Sequence, residues 1–111
     1  MPDESLDPTA LLDEKELHRA LAGELSGWWL EEKALTRTVR LADFRQAMEL
    51  VQQVADLAED RQHHPDIDIR YNRVRFALIS HDAGAITRRD LLLAAGIEKL
   101  IANYQKKHTA A

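Results

Sequence analysis

The chain contains no cysteine, which removes disulfide frameworks, thiolate nucleophiles and cysteine-ligated zinc from the functions open to it. No apolar run approaches the roughly 18 residues of a membrane span. A basic excess is also missing: 15 lysines and arginines stand against 19 acids, for a formal net charge of −4. Nucleic-acid-binding domains ordinarily gather positive charge on one face. The nearest approach to such a patch is Arg70, Arg73 and Arg75, followed by Arg88 and Arg89. These arginines are interleaved with apolar residues at strand spacing and read as a solvated sheet face. The first ten residues, MPDESLDPTA, are acidic and lack a basic segment followed by an apolar stretch, so no secretory signal is expected. Together the absences lead to the expectation of a soluble, intracellular protein resident in the cytoplasm.

What remains is an ordinary globular composition: 111 residues, 45% hydrophobic and 31% charged, enough for one domain and little more. Residues 1–10 read as a disordered or loosely attached lead-in, residues 11–107 as the domain, and residues 108–111 as a short tail. A domain of this size leaves much of its surface exposed, so a surplus apolar face would favour self-association.

Periodicity divides the domain into seven elements. Leu11, Leu12, Leu17, Leu21 and Leu25 form a helical stripe that Gly23 and Gly27 bring to an end. Residues 28–30 and 35–41 then read as two strands joined by a turn at Glu31, Glu32 and Lys33. In the second strand Leu35, Val39 and Leu41 share one face and Thr36, Thr38 and Arg40 the other. Trp28 and Trp29 are adjacent, so only one of them can face the core. Asp43 suits the N-cap of a helix reaching about Asp60. Phe44, Ala47, Met48, Val51, Ala55 and Ala58 lie along one of its faces, and Leu50, Val54 and Leu57 widen the stripe.

Pro65 forces the residue before it into an extended conformation and closes that helix at His63 and His64. Alternation then places Ile67, Ile69 and Tyr71 on one side of a strand and Asp68 and Arg70 on the other. After a turn at Asn72 and Arg73, a partner strand follows through Val74, Phe76 and Leu78 to Ser80. A loop at residues 81–86 leads to Thr87, which forms a capping box with Asp90 at the start of a helix over residues 88–106. That helix is apolar around more than half its circumference, and self-association through it is expected. The order α-β-β-α-β-β-α predicts an α+β fold, a four-stranded antiparallel sheet with three helices packed on one face.

Residues able to do chemistry collect where elements end. If the last two strands pair, their outer ends bring His64 and His81 together although they are 17 positions apart. Imidazoles exchange protons near neutral pH and suit a reaction needing both an acid and a base. The same histidines could instead cap the helix end and bond to loop carbonyls, or bind a metal, although adjacent histidines rarely share one ion and no HExxH pattern is present. His18 and His108 lie among polar neighbours and read as surface residues. Asp90 could close the capping box, orient a histidine, or do both. Glu59, in the last turn before the histidines, could hydrogen-bond the amino and ring N–H groups of a heterocycle or stand as a solvated helix acid.

Glu59, three intervening positions, His63-His64-Pro65, Tyr71, His81 ten positions later and Asp90 together resemble the signature of the pterin-4a-carbinolamine dehydratase family. Gly27-Trp28 at the first strand and Asp43-Phe44 at the central helix agree with it, and the likeness extends over roughly residues 11–102. The resemblance implies a hydro-lyase that expels water from a 4a-hydroxytetrahydropterin to give quinonoid dihydropterin, with no metal and no organic cofactor. It places His63, His64 and His81 at the pterin, with Glu59, Gln62, Pro65, Ser80 and Asp82 as substrate contacts and Asp90 and Tyr71 in support. It further implies service to an aromatic amino acid hydroxylase and assembly into dimers or tetramers.

Family members often carry an aromatic residue where this chain has Ile67, and an acid where it has Gln62. Some relatives are instead similar to a transcription coactivator, or look like assembly chaperones for a carboxylating enzyme. A binding or scaffold role on the same fold is therefore the alternative, although relatives of that kind are expected to lose the histidines present here.

Overall fold

The computed structural model describes residues 13–108. The lead-in expected at residues 1–10, the stripe positions Leu11 and Leu12, and tail residues 109–111 lie outside them. The element order is α1 (Glu14–Ala22), β1 (Trp29–Glu31), β2 (Ala34–Arg40), α2 (Phe44–Arg61), β3 (Asp66–Arg70), β4 (Arg73–Leu78) and α3 (Arg88–His108). This is the α-β-β-α-β-β-α order predicted from periodicity. All strand pairs are antiparallel and the sheet order is β1-β2-β4-β3.

Register explains which residues become core. Leu35 lies opposite Leu78, Val39 opposite Val74, Ile67 opposite Phe76 and Ile69 opposite Val74. Alternation therefore collects these side chains on one face of the sheet. There Leu35, Val39, Val74, Phe76 and Leu78 meet Leu50 and Val54 of α2 and Leu93, Ile97 and Ile101 of α3 in one buried cluster, with Ile67 packed against its edge. The opposite face carries Thr38, Arg40, Asp68, Arg70, Arg73 and Arg75, with ion pairs Arg70–Asp68 (3.2 Å) and Arg75–Glu31 (3.1 Å). Arg70, Arg73 and Arg75 thus form a sheet face as expected, whereas Arg88 and Arg89 belong to α3 and are part-buried. The two tryptophans divide as adjacency requires. Trp28 is buried, its Nε1–H donating to Glu98 (2.9 Å), and the same carboxylate receives Arg37 Nε (3.0 Å). Trp29 is exposed.

Several boundaries differ from the sequence reading, each for a local reason. Helix α1 stops at Ala22, and Leu25 is buried from the turn that follows it. Strand β2 ends at Arg40 rather than Leu41, whose backbone instead exchanges hydrogen bonds with Asn72. Glu31 belongs to β1, and only Glu32 and Lys33 turn the chain, both with positive φ. The second hairpin turns at Tyr71 and Asn72 rather than Asn72 and Arg73, because Arg70 pairs with Arg73. Two-residue hairpin loops favour left-handed conformations that match strand twist, and Tyr71 adopts one (φ 53°). Tyr71 therefore leaves the Ile67 and Ile69 face and stands exposed at the turn.

Helix α2 is capped by Asp43, whose side chain accepts from Gln46 N. Its core stripe is Ala47, Leu50, Val54 and Ala58, drawn from both expected rows, while Phe44 and Met48 are exposed. Much of the apolar breadth of α3 is absorbed within the chain: Leu93, Ala94, Ile97, Ile101 and Tyr104 are buried. Leu91 and Leu100 stay half-buried and Leu92 exposed, an apolar strip that remains open to the self-association expected of this helix. The two long helices approach closely at Gly96, where a Cβ would lie 2.9 Å from Leu57 Cδ2 and oblige that side chain to shift.

Helix α2 ends on Gln62, left-handed at φ 52°, ψ 42°, with His63 N–H bonding back to Ala58 O. This closure is normally given to glycine, and a side-chain-bearing residue there costs roughly 1–2 kcal/mol. We expect Gln62→Gly to raise stability by about 1 kcal/mol, read as a higher urea midpoint; a lower midpoint would contradict the assigned cap. Tyr104 ties α3 to α2 by donating its hydroxyl hydrogen to Glu49. Burial, with the Glu49 carboxylate beside it, pushes this phenol up to about 12. Since the folded value lies above the ordinary 10.0, its stabilising contribution is complete below pH 10 and is lost as pH rises towards 12. In a Tyr71→Phe variant, the remaining tyrosinate absorbance of the folded protein should rise near pH 12; a midpoint near 10 would refute the coupling.

Candidate active site

The site forms where α2 gives way to β3 and where β4 gives way to α3. The ladder pairs Asp66 with Ala77, so the residues just before β3 and just after β4 come alongside one another. His63 and Ser80 both reach the same group, the carboxylate of Asp90 in the first turn of α3. His63 Nε2 lies 2.6 Å from Asp90 Oδ1, while Oδ2 accepts from Ser80 Oγ (2.8 Å) and from Thr87 N (2.9 Å). Asp90 is fully buried. A carboxylate removed from water at large cost is thus matched by three donors.

Proton counting fixes the direction of this network. Ser80 has one hydroxyl hydrogen and gives it to Asp90, so Thr87 Oγ1–H, 2.8 Å from Ser80 Oγ, donates to Ser80. Thr87 Oγ1 in turn accepts from Arg89 N (3.3 Å). Because the carboxylate accepts, His63 carries its hydrogen on Nε2 and keeps Nδ1 as the nitrogen free to exchange a proton. Asp90 therefore closes the capping box through Thr87 and also holds a histidine.

The other two imidazoles are held differently. His64 Nε2 lies 2.6 Å from Glu59 Oε2, one helical turn back, and both side chains are exposed. His81 is exposed, and its ring has no polar partner among the described residues. It stands in a tight loop, closed by Ser80 N–H donating to Ala85 O (3.1 Å) and turned by Gly84 at φ 66°. Beside it Asp82 receives Arg89 Nη2 at 2.5 Å. That hydrogen bond holds the Asp82 carboxyl below its ordinary value.

The remaining expected contacts are placed as follows. Glu59 stands at the surface with His64, and Pro65 is half-buried at the start of β3. Gln62 donates its side-chain amide to Glu59 O (2.8 Å), so it serves the helix end. Ser80 lies buried behind the histidines with its hydroxyl engaged. Tyr71 does not join the group. It turns the far end of the β3–β4 hairpin, separated from His64 by the whole of β3 at about 3.3 Å per residue. Ile67 faces the helix-covered side and packs against the core. Among the described residues no set of three or more histidine, aspartate or glutamate side chains converges as a metal site. Sequence reasoning missed the reach of Arg89 to Asp82. The available signal was a pair of cations, Arg88 and Arg89, in a first helical turn where acids are preferred.

Comparison with known proteins agrees with the geometry. A family model described as Pterin 4 alpha carbinolamine dehydratase matches residues 10–100. A protein of Chloroflexus aurantiacus, provisionally named a pterin-4-alpha-carbinolamine dehydratase, is 51% identical over 90 residues, covering 81% of this chain and 96% of that one. The crystal structure of a transcriptional coactivator/pterin dehydratase from Brucella melitensis superposes with a TM-score of 0.77 at 32% identity, over 83% of this chain and 99% of the other. A pterin dehydratase-like protein identified as a RuBisCO assembly factor in the alpha-carboxysome shares the fold (TM-score 0.58, 20% identity, 68% of this chain and 89% of that one).

Replacing Asp90 should strand three donors at once. We expect Asp90→Ala to lower stability by about 3 kcal/mol or more, measured by urea unfolding. A loss below about 1 kcal/mol would mean that the network contributes no more than a single ordinary hydrogen bond.

Proposed function

The chain belongs to the pterin 4 alpha carbinolamine dehydratase family, and from that membership we propose that it dehydrates 4a-hydroxytetrahydropterin to quinonoid dihydropterin and water. The observation that carries the reading is the presence of His63, His64 and His81 at one end of the β3–β4 hairpin, with His63 oriented by a buried carboxylate. The reaction breaks the C4a–O bond and forms a C4a=N5 double bond. One protonated imidazole delivers a proton to the departing hydroxyl, which leaves as water, and a second group takes the proton from N5. The exchange is neutral overall, so it needs an acid and a base and consumes no other reactant. The acid and base roles are assigned to the three imidazoles together rather than to fixed members.

In this reading Glu59 accepts from the N–H groups of the pterin ring system, and Pro65 lines the approach. Gln62, Ser80 and Asp82 shape the loops around it, while Asp90 positions His63. The protein would serve an aromatic amino acid hydroxylase, whose turnover leaves the 4a-hydroxy adduct, and would reside in the cytoplasm. We place a homo-oligomer, a dimer or tetramer, on the exposed apolar pair Phe44 and Met48 of α2. That pair also favours the second reading, a binding or scaffold role in which α2 receives a partner helix. The coactivator and assembly-factor names of the structural relatives make it the natural alternative.

The test is to follow the decay of freshly made 4a-hydroxytetrahydropterin with micromolar protein. Acceleration is expected, and a rate equal to the uncatalysed decay would overturn the reading. His64→Ala and His81→Ala should each lose roughly 100-fold or more, the scale of acid-base catalysis, while circular dichroism shows them folded. Unchanged rates in both would dissolve the assigned site.

A further inference from the structure

His63 has Asp90 and His64 has Glu59 to orient them, but the ring of His81 has no polar partner among the described residues. Its position is set through the backbone of residues 80–85. On one side this loop is anchored by Ser80, buried in the Asp90 network. On the other, Asp82, directly after His81, is gripped by Arg89 Nη2 at 2.5 Å. Between these two anchors the loop is turned by Gly84, whose φ is positive, and drawn together by the N–H groups of Ala83 and Gly84 donating to Ser80 O.

Arg89 is costly where it stands. It occupies the first turn of α3, where the exposed backbone N–H groups repel a cation. Its neighbour Arg88 is accounted for by Glu16 of α1 at 2.5 Å. Arg89 has no helix of its own to tie. Its Nε–H is buried without an acceptor, an unusual state for a native donor and one that calls for a local explanation. A side chain placed against both the helix dipole and hydrogen-bond satisfaction is better explained by what its guanidinium holds than by helix stability.

We propose that Arg89 is a positioning residue for His81, acting through Asp82 to hold the 80–85 loop in the geometry that brings the third imidazole to the substrate. The proposal rests on the dehydratase reading and reassigns Asp82 from a substrate contact to the loop's anchor. Loss of the anchor leaves the pterin's other contacts in place, so it acts on kcat more than on KM.

The test pairs kinetics with spectroscopy on the full chain. Arg89→Ala should lower kcat roughly ten- to a hundred-fold, as expected when a reacting group is displaced by about an ångström, with KM changed less than about two-fold. Arg89→Lys, which keeps one charged donor for Asp82, should recover most of that loss. Asp82→Ala should match Arg89→Ala, and the double variant should be no worse than either single one. In parallel, the imidazole Cε1–H resonance of His81, assigned with His81→Ala, should shift or broaden in Arg89→Ala and return in Arg89→Lys, while that of His63 stays put. If wild type accelerates the decay but Arg89→Ala keeps its kcat, the proposal is overturned. If wild type shows no acceleration, the dehydratase reading fails, and the resonance of His81 still decides whether Arg89 holds the ring. An unmoved resonance in Arg89→Ala overturns the proposal in either case.

Discussion

One buried carboxylate organises the end of this molecule at which its chemistry collects. Asp90 is inaccessible to water, and a carboxylate in that position needs donors from whatever packs around it. Here they come from three separate stretches of chain: His63 after α2, Ser80 after β4, and Thr87 at the start of α3. The same hydrogen bonds that close the start of α3 thereby fix where α2 ends and where β4 stops. Stability and site geometry are not separable at this point. Any rearrangement that moved His63 away would leave the carboxylate short of a donor.

The rest of the fold delivers α3 to that position. Leu35, Val74, Phe76 and Leu78 present an apolar sheet face, and α3 lies against it with Leu93, Ile97 and Ile101. Farther along α3, Glu98 receives both Trp28 and Arg37, which joins the helix to the first hairpin. Tyr104 reaches Glu49 of α2. Helix α3 is thus tied at successive turns to each neighbouring layer, and Asp90 at its first turn is held to both chain ends of the β3–β4 hairpin.

Much of this was legible in the sequence, because alternation and helical spacing report directly on burial. Ile67 and Ile69, and Val74, Phe76 and Leu78, read as paired strands and are paired. The spacing of Thr87 and Asp90 read as a capping box, and the structure has one. What was not legible depends on backbone handedness and on neighbours distant in sequence. Periodicity cannot show that Tyr71 and Gln62 are left-handed, since both positions usually favour glycine or asparagine. Those two conformations remove Tyr71 from the site and turn Gln62 onto the helix end. The choice between Trp28 and Trp29 was set by Glu98, 70 positions away. The exposed pair Phe44 and Met48 belonged to an apolar row that looked core-facing, because two overlapping rows on α2 competed and only a three-dimensional partner decides between them.

The three imidazoles are held with very different firmness. The bond from His63 to Asp90 is shielded from water, so that ring is held in one orientation with Nε2 turned to the carboxylate. The bond from His64 to Glu59 lies in solvent, where water competes and an ion pair contributes little. His81 depends on its loop alone. The residues that set these differences stand behind the rings: Asp90 with Ser80 and Thr87 in one case, and the closed loop after β4 in another. Gln62 and Ile67, the positions where the resemblance led to the expectation of an acid and an aromatic residue, are occupied by a helix cap and a core contact, and neither bonds to the Asp90 network. Substitution there alters the surroundings of the histidines, whereas substitution at Ser80, Thr87 or Asp90 would disturb the fold and the placement of His63 together.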